Sequence, residues 1–307
     1  MKFVEPSGFT KSLSSAGSIP RRGFRKLYRL AAPTLSRFST FMPSTTLDET
    51  RPAQEFGRND RLIVDLGMND GTDTFFYLKK GFNVVAVEAN PVLARQSESL
   101  LGRFVRADRL RIVNKGITDS NSDDHLDFYI NHKRSEWSSF VREIGCRDGT
   151  PFSVARIAMV PIKELFRQFG TPYYLKIDIE GFDQRIVNAL SDFPVKPRFI
   201  SVEEAGVGIV DALHRIGAIG FKLVSQKNVP ANKLPYPARE GRYCRHYFVG
   251  GSSGPFGDEA PGDWRPYDEF RSSYLSSVRD EEGKMVGDAS DWFDIHARFQ
   301  DLFEAGK

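Results

Sequence analysis

Cysteine is scarce in this sequence of 307 residues, which contains only Cys146 and Cys244. Two cysteines so far apart provide neither a disulfide framework nor the closely spaced ligands of a zinc site. No apolar run approaches the ~20 residues that a membrane-spanning helix needs. These absences exclude disulfide-rich secreted domains, zinc modules and helical membrane proteins, and they predict a soluble protein of the cytoplasm.

Acidic residues are almost missing from the first part of the chain, where Glu5 is the only one before Asp48. This composition, rich in Arg and Ser, predicts a disordered basic arm over residues 1–55. A transit peptide, a translation start at Met42, and weak contact of "RRGFRKLYRL" with an anionic membrane surface are alternatives that the sequence leaves open. The remainder is close to neutral, so the formal net charge of +3 does not indicate a nucleic-acid partner.

From Arg61 onward, short apolar runs alternate with helix-like segments, which is typical of a mostly parallel sheet flanked by helices. We predict parallel core strands in "RLIVDL", "NVVAVEA", "LRIVNKGI", "YYLKIDI" and "RFISVEE". The last two apolar runs, "FKLVSQ" and "RHYFVGG", have a connection too short for a helical crossover. We therefore expect them to pair as an antiparallel hairpin at one edge of the sheet, in a fold of the α/β class.

The sheet domain is predicted to span residues 56–251. A Gly/Pro-rich linker follows it. We expect the rest of the 252–307 segment to be a helical extension, formed by "RPYDEFRSSYLSSVRDE" and "ASDWFDIHARFQDLFEAGK".

The turn after the first predicted strand reads D-x-G-x-N-x-G. Its candidate ligand-binding residues are Asp65, Gly67, Asn69 and Gly71. A dinucleotide fingerprint needs glycine where this chain has Asn69 and Thr72, and Asp70 and Asp73 would repel a pyrophosphate at the start of the helix. A cationic ligand without phosphate fits this turn better, and S-adenosylmethionine, which carries a sulfonium and an amino group, is such a ligand.

Glu88 ends the second predicted strand, 23 residues after Asp65, where an acid can accept hydrogen bonds from both hydroxyls of a ribose. A structural role beside the N-cap of the next helix is the alternative. Beyond the third strand, Asn114 and Asp119 are expected near an adenine ring, with Asp119 either bonding its amino group or stabilising a turn. These residues complete the predicted cofactor site.

Asp178 and Glu180 directly follow the fourth predicted strand, and Glu203 and Glu204 end the fifth. Carboxylates at this edge of the sheet are candidates for accepting a proton from a hydroxyl, and we assign that catalytic role to Asp178, Glu180 and Glu203. Capping of the following helix is the alternative for the first two. We expect Lys176 to pair with one acid. A divalent cation held by Asp178, Glu203 and Glu204 is an alternative, but we predict no metal because carboxylates alone are poor evidence for one.

The segment "INHKRSEWSSF" is expected to form a loop over a substrate. Trp137 offers an apolar face on which sugars stack, Ser138 and Ser139 offer hydroxyls, and His132 is a candidate base. A mobile surface loop is the alternative interpretation of this segment.

The stretches "VDLGMNDGTDTFFYLKKGFNVVAVEANP", "YYLKIDIEGFDQRIVNAL" and "FISVEEAG" resemble the FkbM family of S-adenosylmethionine-dependent methyltransferases. The family pattern combines the glycine turn, an E-x-N/P end to strand two and a K-I-D-x-E-G-x-E block, in which Asp183 replaces the last Glu. The resemblance covers residues 61–251 and implies a Rossmann-like class I methyltransferase sheet. It also implies O-methyl transfer to a hydroxyl of a sugar, glycolipid or secondary metabolite.

Two other functions stay open at this point. A nicotinamide-dependent oxidoreductase has a related sheet, although the missing fingerprint glycines and the terminal hairpin speak against it. A cofactor-binding module that has lost turnover would bind S-adenosylmethionine without transferring its methyl group.

Overall fold

A seven-stranded sheet organises the chain in a computed structural model that describes residues 57–120, 124–288 and 290–300. The predicted basic arm over residues 1–55 lies outside the described residues. The domain boundary at residue 251 remains a prediction.

Ten strands form two sheets within the described ranges. They are β1 (Arg58–Leu66), β2 (Asn83–Val87), β3 (Leu110–Val113), β4 (Gly116–Thr118), β5 (His125–Asn131), β6 (Phe152–Pro161), β7 (Thr171–Ile177), β8 (Phe199–Glu203), β9 (Ala218–Ser225) and β10 (Phe293–Phe299). The larger sheet has the order β3-β2-β1-β7-β8-β10-β9. Its first five strands run parallel and β10 is antiparallel to both neighbours, which confirms the predicted fold class.

Seven α-helices are present in the same ranges. They are α1 (Thr72–Lys80), α2 (Pro91–Arg106), α3 (Arg142–Gly145), α4 (Ile162–Phe169), α5 (Asp183–Ala189), α6 (Val207–Arg215) and α7 (Tyr267–Ser277). Helix α1 ends at Gly81, whose left-handed φ of 99° lets its N–H bond the last turn. Helix α2 has Pro91 at its first position, and the Asn90 side chain accepts from the N–H of Val92. Both boundaries follow from residues that the sequence displays.

A smaller sheet has the order β4-β6-β5, with β6 parallel to β4 and antiparallel to β5. The sequence prediction ran the third core strand through residue 117, and this was wrong. Strand β3 ends at Val113, the N–H of Lys115 donates back to the Val113 carbonyl, and the chain leaves the larger sheet. Gly116 then begins β4 in the smaller sheet.

The predicted C-terminal hairpin is corrected by the structure. Strand β9 pairs with β10, whereas residues 245–251 form no strand. Strand β10 lies between β8 and β9, so Ile295 and Ala297 on one face and His296 on the other are all buried. This segment, predicted to be part of a helical extension, is therefore a central strand. Helix α7 agrees with the other predicted helix.

The core lies against the larger sheet, whose central strands are buried on both faces. Fully or almost fully buried side chains come from β1, β7, β8, β10 and helix α6, and they include Val64, Leu175, Ile200, Ile295 and Leu213. Buried parallel strands of this kind hold their carboxyl ends in fixed positions. None of the helices in the described ranges has the length and the apolar character that crossing a membrane requires.

Candidate active site

A cavity of about 620 Å³, partly open to solvent, lies at the carboxyl ends of β1, β2 and β7. The strand order changes direction between β1 and β7, which is where open α/β sheets bind ligands. Six of the predicted site residues lie in its wall: Gly67, Asn69, Glu88, Ser138, Asp178 and Glu180. The structure therefore brings the acids that follow β7 close to the turn that follows β1.

The turn after β1 is held against the ends of both neighbouring strands. The N–H groups of Gly67 and Met68 donate to the Val87 carbonyl, which ties the turn to β2. Gly67 has φ 82°, and a Cβ there would lie 1.8 Å from the carbonyl oxygen of Asp178 at the end of β7. Only glycine allows this close approach. Gly71, also left-handed at φ 82°, precedes α1 and does not line the cavity.

Asp65 is fully buried at the end of β1, beneath this turn. Its Oδ2 accepts from the Thr74 hydroxyl at 2.6 Å, and its Oδ1 has no hydrogen-bond donor among the described residues. Lys176 Nζ lies 3.5 Å from that Oδ1 and also donates to the Gly67 carbonyl. Asp65 does not line the cavity, so its predicted contact with a methionine amino group stays untested.

Glu88 lines the cavity at the end of β2 and is almost completely buried. Its two carboxylate oxygens accept from the N–H groups of Asn69 and Asn90, each at 2.7 Å. Burial raises the pKa of Glu88 to about 7. The side chain thus joins the turn after β1 to the start of α2, which agrees with the structural alternative, and its contact with a ribose stays a prediction.

Asn114 and Asp119 do not reach the cavity. The Asn114 side chain donates to the carbonyl of Glu88 and fixes the end of β2. Asp119 pairs with Arg185 of α5 at 2.7 Å, and the hydrogen bond to this guanidinium lowers the pKa of its carboxyl. Their predicted proximity to an adenine ring is therefore not supported by cavity contacts.

The two acids expected to repel a pyrophosphate also have local partners. Asp70 accepts from the N–H of Thr72, and Asp73 is buried with both oxygens facing the N–H of Ser253. Burial raises the pKa of Asp73 to about 7. Neither residue lines the cavity, so Asp73 acts on the C-terminal segment rather than on a ligand.

Asp178 and Glu180 line the cavity after β7. Asp178 Oδ2 lies 3.2 Å from Lys176 Nζ, so the buried lysine pairs with two acids rather than one. Neither acid caps α5: its N-cap residue is Phe182, with no side-chain cap, and the Asp183 carboxylate accepts from the N–H groups of Ile179 and Gly181 in the preceding turn. The capping alternative is therefore wrong, and Asp183, whose role the family pattern left open, closes the turn.

Glu180 has an unusual backbone conformation, with φ 51° in the left-handed region. Its Oε2 accepts from Arg147 Nη2 at 2.5 Å, and its backbone carbonyl accepts from the Ser139 hydroxyl at 2.6 Å. Burial raises the pKa of Glu180 to about 7, while Arg147 opposes this rise. Glu180 is thus a cavity carboxyl that titrates near neutral pH.

Glu203 does not line the cavity. It faces Asp294 across the β8–β10 pair, and burial followed by repulsion from Asp178 holds its pKa well above the usual range. Glu204 points away from it, as strand alternation predicts, and accepts from Tyr274 and Arg279. The catalytic role assigned to Glu203 therefore has no support from its position.

The loop after β5 is only partly at the cavity. Ser138 lines it, whereas Ser139 is fully buried and holds the Glu180 carbonyl. Trp137 does not line the cavity; its ring lies 4.9 Å from the guanidinium carbon of Arg134 and 4.8 Å from that of Arg147. His132 is exposed and does not line the cavity either. The expected stacking face of Trp137 is thus already in contact with protein cations.

Several cavity residues escaped the sequence prediction. Those of the smaller sheet and its loops are Gly116, Ile117, Phe128, Ser135, Glu136 and Phe140, and Leu93, Lys115 and Phe182 come from elsewhere. Phe128 and Phe140 are 4.7 Å apart between ring centres and form an aromatic wall. The sequence spacing of Phe128 and Phe140 does not predict this contact, because only the fold brings the edge strand and the loop together.

The residues present fit S-adenosylmethionine. Four acids and one cation, Lys115, are the charged groups in the cavity wall, which suits a cationic ligand and opposes a pyrophosphate. Val87, Leu93 and Ile117 provide an apolar wall beside Glu88. The buried Asp65 Oδ1 without a donor is a further acceptor next to the turn.

Comparisons with known proteins give one family match and several distant structural likenesses. No curated protein sequence matches the chain. Similar solved structures include precorrin-6y C5,15-methyltransferase from Geobacter metallireducens, with 11% identity, a TM-score of 0.33, and coverage of 80% of this chain and 81% of that one. A putative methyltransferase from Thermoplasma acidophilum has 10% identity, a TM-score of 0.34, and coverage of 80% and 71%.

A third solved structure, the human methyltransferase 10 domain containing protein, has 8% identity, a TM-score of 0.35, and coverage of 79% of this chain and 73% of that one. Structural similarity at this level does not indicate a function. The sequence match is informative, because residues 65–211 match the methyltransferase FkbM domain model. This segment contains the turn after β1, Glu88 and the block around Glu180. The chain therefore carries an FkbM methyltransferase domain over residues 65–211.

Proposed function

We propose that this enzyme methylates a hydroxyl oxygen of a sugar, glycolipid or secondary metabolite. The observation that supports the proposal is the carboxyl of Glu180, which lines the cavity and has a pKa of about 7. An aliphatic hydroxyl needs a nearby proton acceptor, and an acceptor that titrates near neutral pH is the most effective one. Methylation of an already nucleophilic amine would not need such a group.

In this proposal, the cofactor occupies the half of the cavity formed by β1 and β2. Glu88 accepts hydrogen bonds from the ribose, and Val87, Leu93 and Ile117 pack against the adenine. Gly67 and Asn69 bring the backbone of the turn close to the methionine part. When bound, S-adenosylmethionine supplies a methyl group on a positively charged sulfur.

The acceptor then occupies the half bordered by Phe128, Phe140 and Phe182. These rings offer apolar faces to a sugar or polyketide ring, and the hydroxyls of Ser135 and Ser138 are polar contacts within the same wall. Enclosure by these side chains excludes water and aligns the acceptor oxygen.

Glu180 accepts the proton of the acceptor hydroxyl as the oxygen attacks. Arg147, bonded to Oε2, keeps the carboxylate oriented. Asp178 is held by Lys176, so its negative charge stays next to the turn after β1 and stabilises the cationic ligand rather than taking the proton.

The proposal is tested by incubating the purified protein with methyl-labelled S-adenosylmethionine and fractionated hydroxyl-bearing metabolites. A labelled product that survives mild alkali and that mass spectrometry identifies as a methyl ether supports the proposal, whereas an alkali-labile ester or an N-methyl product overturns it. Glu180→Gln is expected to lower kcat by about 100-fold or more. Glu136→Gln, which changes another acid in the same wall, is the matched control and should retain most activity.

A further inference from the structure

Residues 242–248 form an extended segment that pairs with no strand of the described chain. Its side chains alternate, with Tyr243, Arg245 and Tyr247 exposed and Cys244, His246 and Phe248 turned inward. The inward row packs on α1, where the rings of His246 and Phe248 lie 4.8 and 5.0 Å from the ring of Phe76. One face of this segment is therefore fixed to the core while the other faces solvent.

Tyrosine is unusually exposed on this face. Tyr236 is 83% exposed, Tyr247 60% and Tyr243 48%. The rings of Tyr236 and Tyr243 contact each other edge to face at 5.2 Å, so the preceding loop joins the same surface. Arg245 lies over the ring of Tyr247 and donates to its hydroxyl at 2.8 Å. The result is a raised surface on which aromatic rings and guanidinium groups alternate.

Several Arg and Lys side chains lie at this surface without a carboxylate partner among the described residues. Arg242 donates to the carbonyl of Lys79, Lys79 donates to the carbonyl of Arg245, and Arg239 reaches the carbonyl of Asp258. None of these four side chains pairs with a carboxylate among the described residues. Burial, followed by repulsion from Arg242 and Arg61, lowers the pKa of the neighbouring Arg109. We call Tyr236, Arg239, Arg242, Tyr243, Arg245 and Tyr247 the basic tyrosine surface.

The basic tyrosine surface lies at the end of α1 that is remote from the cavity. Helix α1 starts beside the cavity turn and ends at Lys80, whose backbone carbonyl accepts from the N–H of Arg242. This is the edge at which the strands of the parallel sheet begin, including β1 at Arg58.

We infer that the basic tyrosine surface docks the enzyme on an anionic phospholipid membrane. Arginine side chains without protein carboxylates complement lipid phosphates, and tyrosine is enriched where a protein meets the boundary between lipid and water. The cavity then faces away from the membrane.

A single-stranded nucleic acid is the other polyanion to consider. Its bases need open aromatic faces to stack on. Here the rings of Tyr236 and Tyr243 meet edge to face with an interplanar angle of 86°, and Arg245 bonds the hydroxyl of Tyr247. Rings set at right angles do not form a continuous platform for successive bases, which favours a lipid surface.

The test is sedimentation of the full chain with phosphatidylcholine vesicles, with and without phosphatidylserine. Arg242→Gln/Arg245→Gln is expected to weaken binding to the phosphatidylserine vesicles about 25-fold, since each cation near an anionic surface contributes about fivefold. Tyr236→Ser/Tyr247→Ser, which keeps the charge, should weaken it about tenfold. Arg156→Gln/Arg265→Gln makes the same charge change at exposed residues elsewhere and should bind like the wild type.

Thermal stabilisation by S-adenosylhomocysteine shows that each variant is folded. Unchanged vesicle binding of Arg242→Gln/Arg245→Gln, or equal binding to vesicles without phosphatidylserine, overturns the inference. So does a variant that loses binding to single-stranded RNA while vesicle binding is unchanged. The inference does not depend on the acceptor or on methyl transfer, so it can fail while the proposed function stands.

Discussion

Arg147 Nη2 lies 2.5 Å from Oε2 of Glu180, and the same guanidinium lies 4.8 Å from the ring of Trp137. The contact joins a loop beyond the smaller sheet to the turn after β7. Burial raises the pKa of the Glu180 carboxyl, and Arg147 is the largest influence in the opposite direction. The arginine therefore lowers the pH at which this buried cavity carboxyl becomes negatively charged.

Arg147→Met should move the pH profile of the enzyme. In the wild type, kcat/KM is expected to rise through a pH of about 7 as Glu180 loses its proton. Without the guanidinium, the carboxylate loses its stabilising charge, the pKa rises further, and the rising limb shifts to higher pH. Rate measurements across pH with a labelled methyl donor check this result.

Arg142→Met is the control for this loop, because Arg142 is exposed and follows the same strand. Its profile should superimpose on that of the wild type. If both variants lose activity equally at every pH, Arg147 acts on the loop structure rather than on Glu180.

Lys176→Met should destabilise the fold and the cofactor site together. Lys176 is buried between Asp65, which is fully buried, and Asp178, and it also bonds the Gly67 carbonyl. Its removal leaves two acids without their cation. Breaking a buried pair in this way lowers the free energy of unfolding by about 3 to 5 kcal/mol. Denaturant unfolding and calorimetric titration with S-adenosylhomocysteine measure the two effects.

Lys163→Met is the matched control, since Lys163 is exposed on α4. It should change the free energy of unfolding by less than about 0.5 kcal/mol. Equal stability of the two variants would show that Asp65 and Asp178 do not need the lysine charge.

The sequence could predict those site residues that directly follow the end of a strand. Asp178, Glu180 and Glu88 each come directly after a readable apolar strand, and parallel strands bring such residues to one edge. The Arg147 contact could not be predicted, because 33 residues and a second sheet separate it from Glu180. The ion pair of Asp119 could not be predicted for the same reason, because its partner, Arg185, is 66 residues away.

The C-terminal strand shows a different limit. "WFDIHARF" has apolar residues that suit either a helix or a strand, and only its insertion between β8 and β9 decides the outcome. Conversely, residues 243–248 alternate like a strand, but their backbone pairs with no strand of the described chain. Local pattern gives the alternation of side chains, whereas tertiary contacts decide which segment becomes a strand.

Gly67→Ala tests the close approach of the turn after β1 to β7. The new Cβ would lie 1.8 Å from the Asp178 carbonyl oxygen, so the turn must move away from the cavity. We expect at least about a tenfold loss of cofactor affinity, because the displaced turn misaligns the backbone at the methionine end. Calorimetric titration with S-adenosylhomocysteine measures it.

Gly251→Ala is the control for backbone strain. Gly251 has a similar φ of 85°, and a Cβ there meets no atom within 4 Å. In both variants an alanine must adopt the left-handed backbone conformation, which costs about 1 to 2 kcal/mol. The difference in cofactor affinity between the two variants therefore reports the contact with the Asp178 carbonyl alone. Equal cofactor affinity of the two variants would contradict the role of Gly67.

Glu240→Gln should make the protein less sensitive to alkaline pH. Glu240 is almost fully buried, accepts from the N–H of Asp258 and the hydroxyl of Tyr173, and burial raises its pKa to about 7 from the ordinary value of 4.5. Because the folded-state pKa is the higher one, the stabilising contribution is complete below about pH 4.5. It is lost as the pH rises through about 7.

The amide of Glu240→Gln keeps both hydrogen bonds, with its oxygen facing Asp258 and its NH₂ facing Tyr173, but it does not ionise. Relative to the wild type, the variant should therefore gain about 1 to 3 kcal/mol in free energy of unfolding between pH 5 and pH 8. Denaturant unfolding at both pH values measures this difference, and other buried acids such as Glu88 cancel because both proteins contain them. Glu282→Gln, at an exposed position, should show no such gain. If the Glu240→Gln and wild-type curves run parallel across this range, Glu240 is not the buried acid that the structure places beside Tyr173.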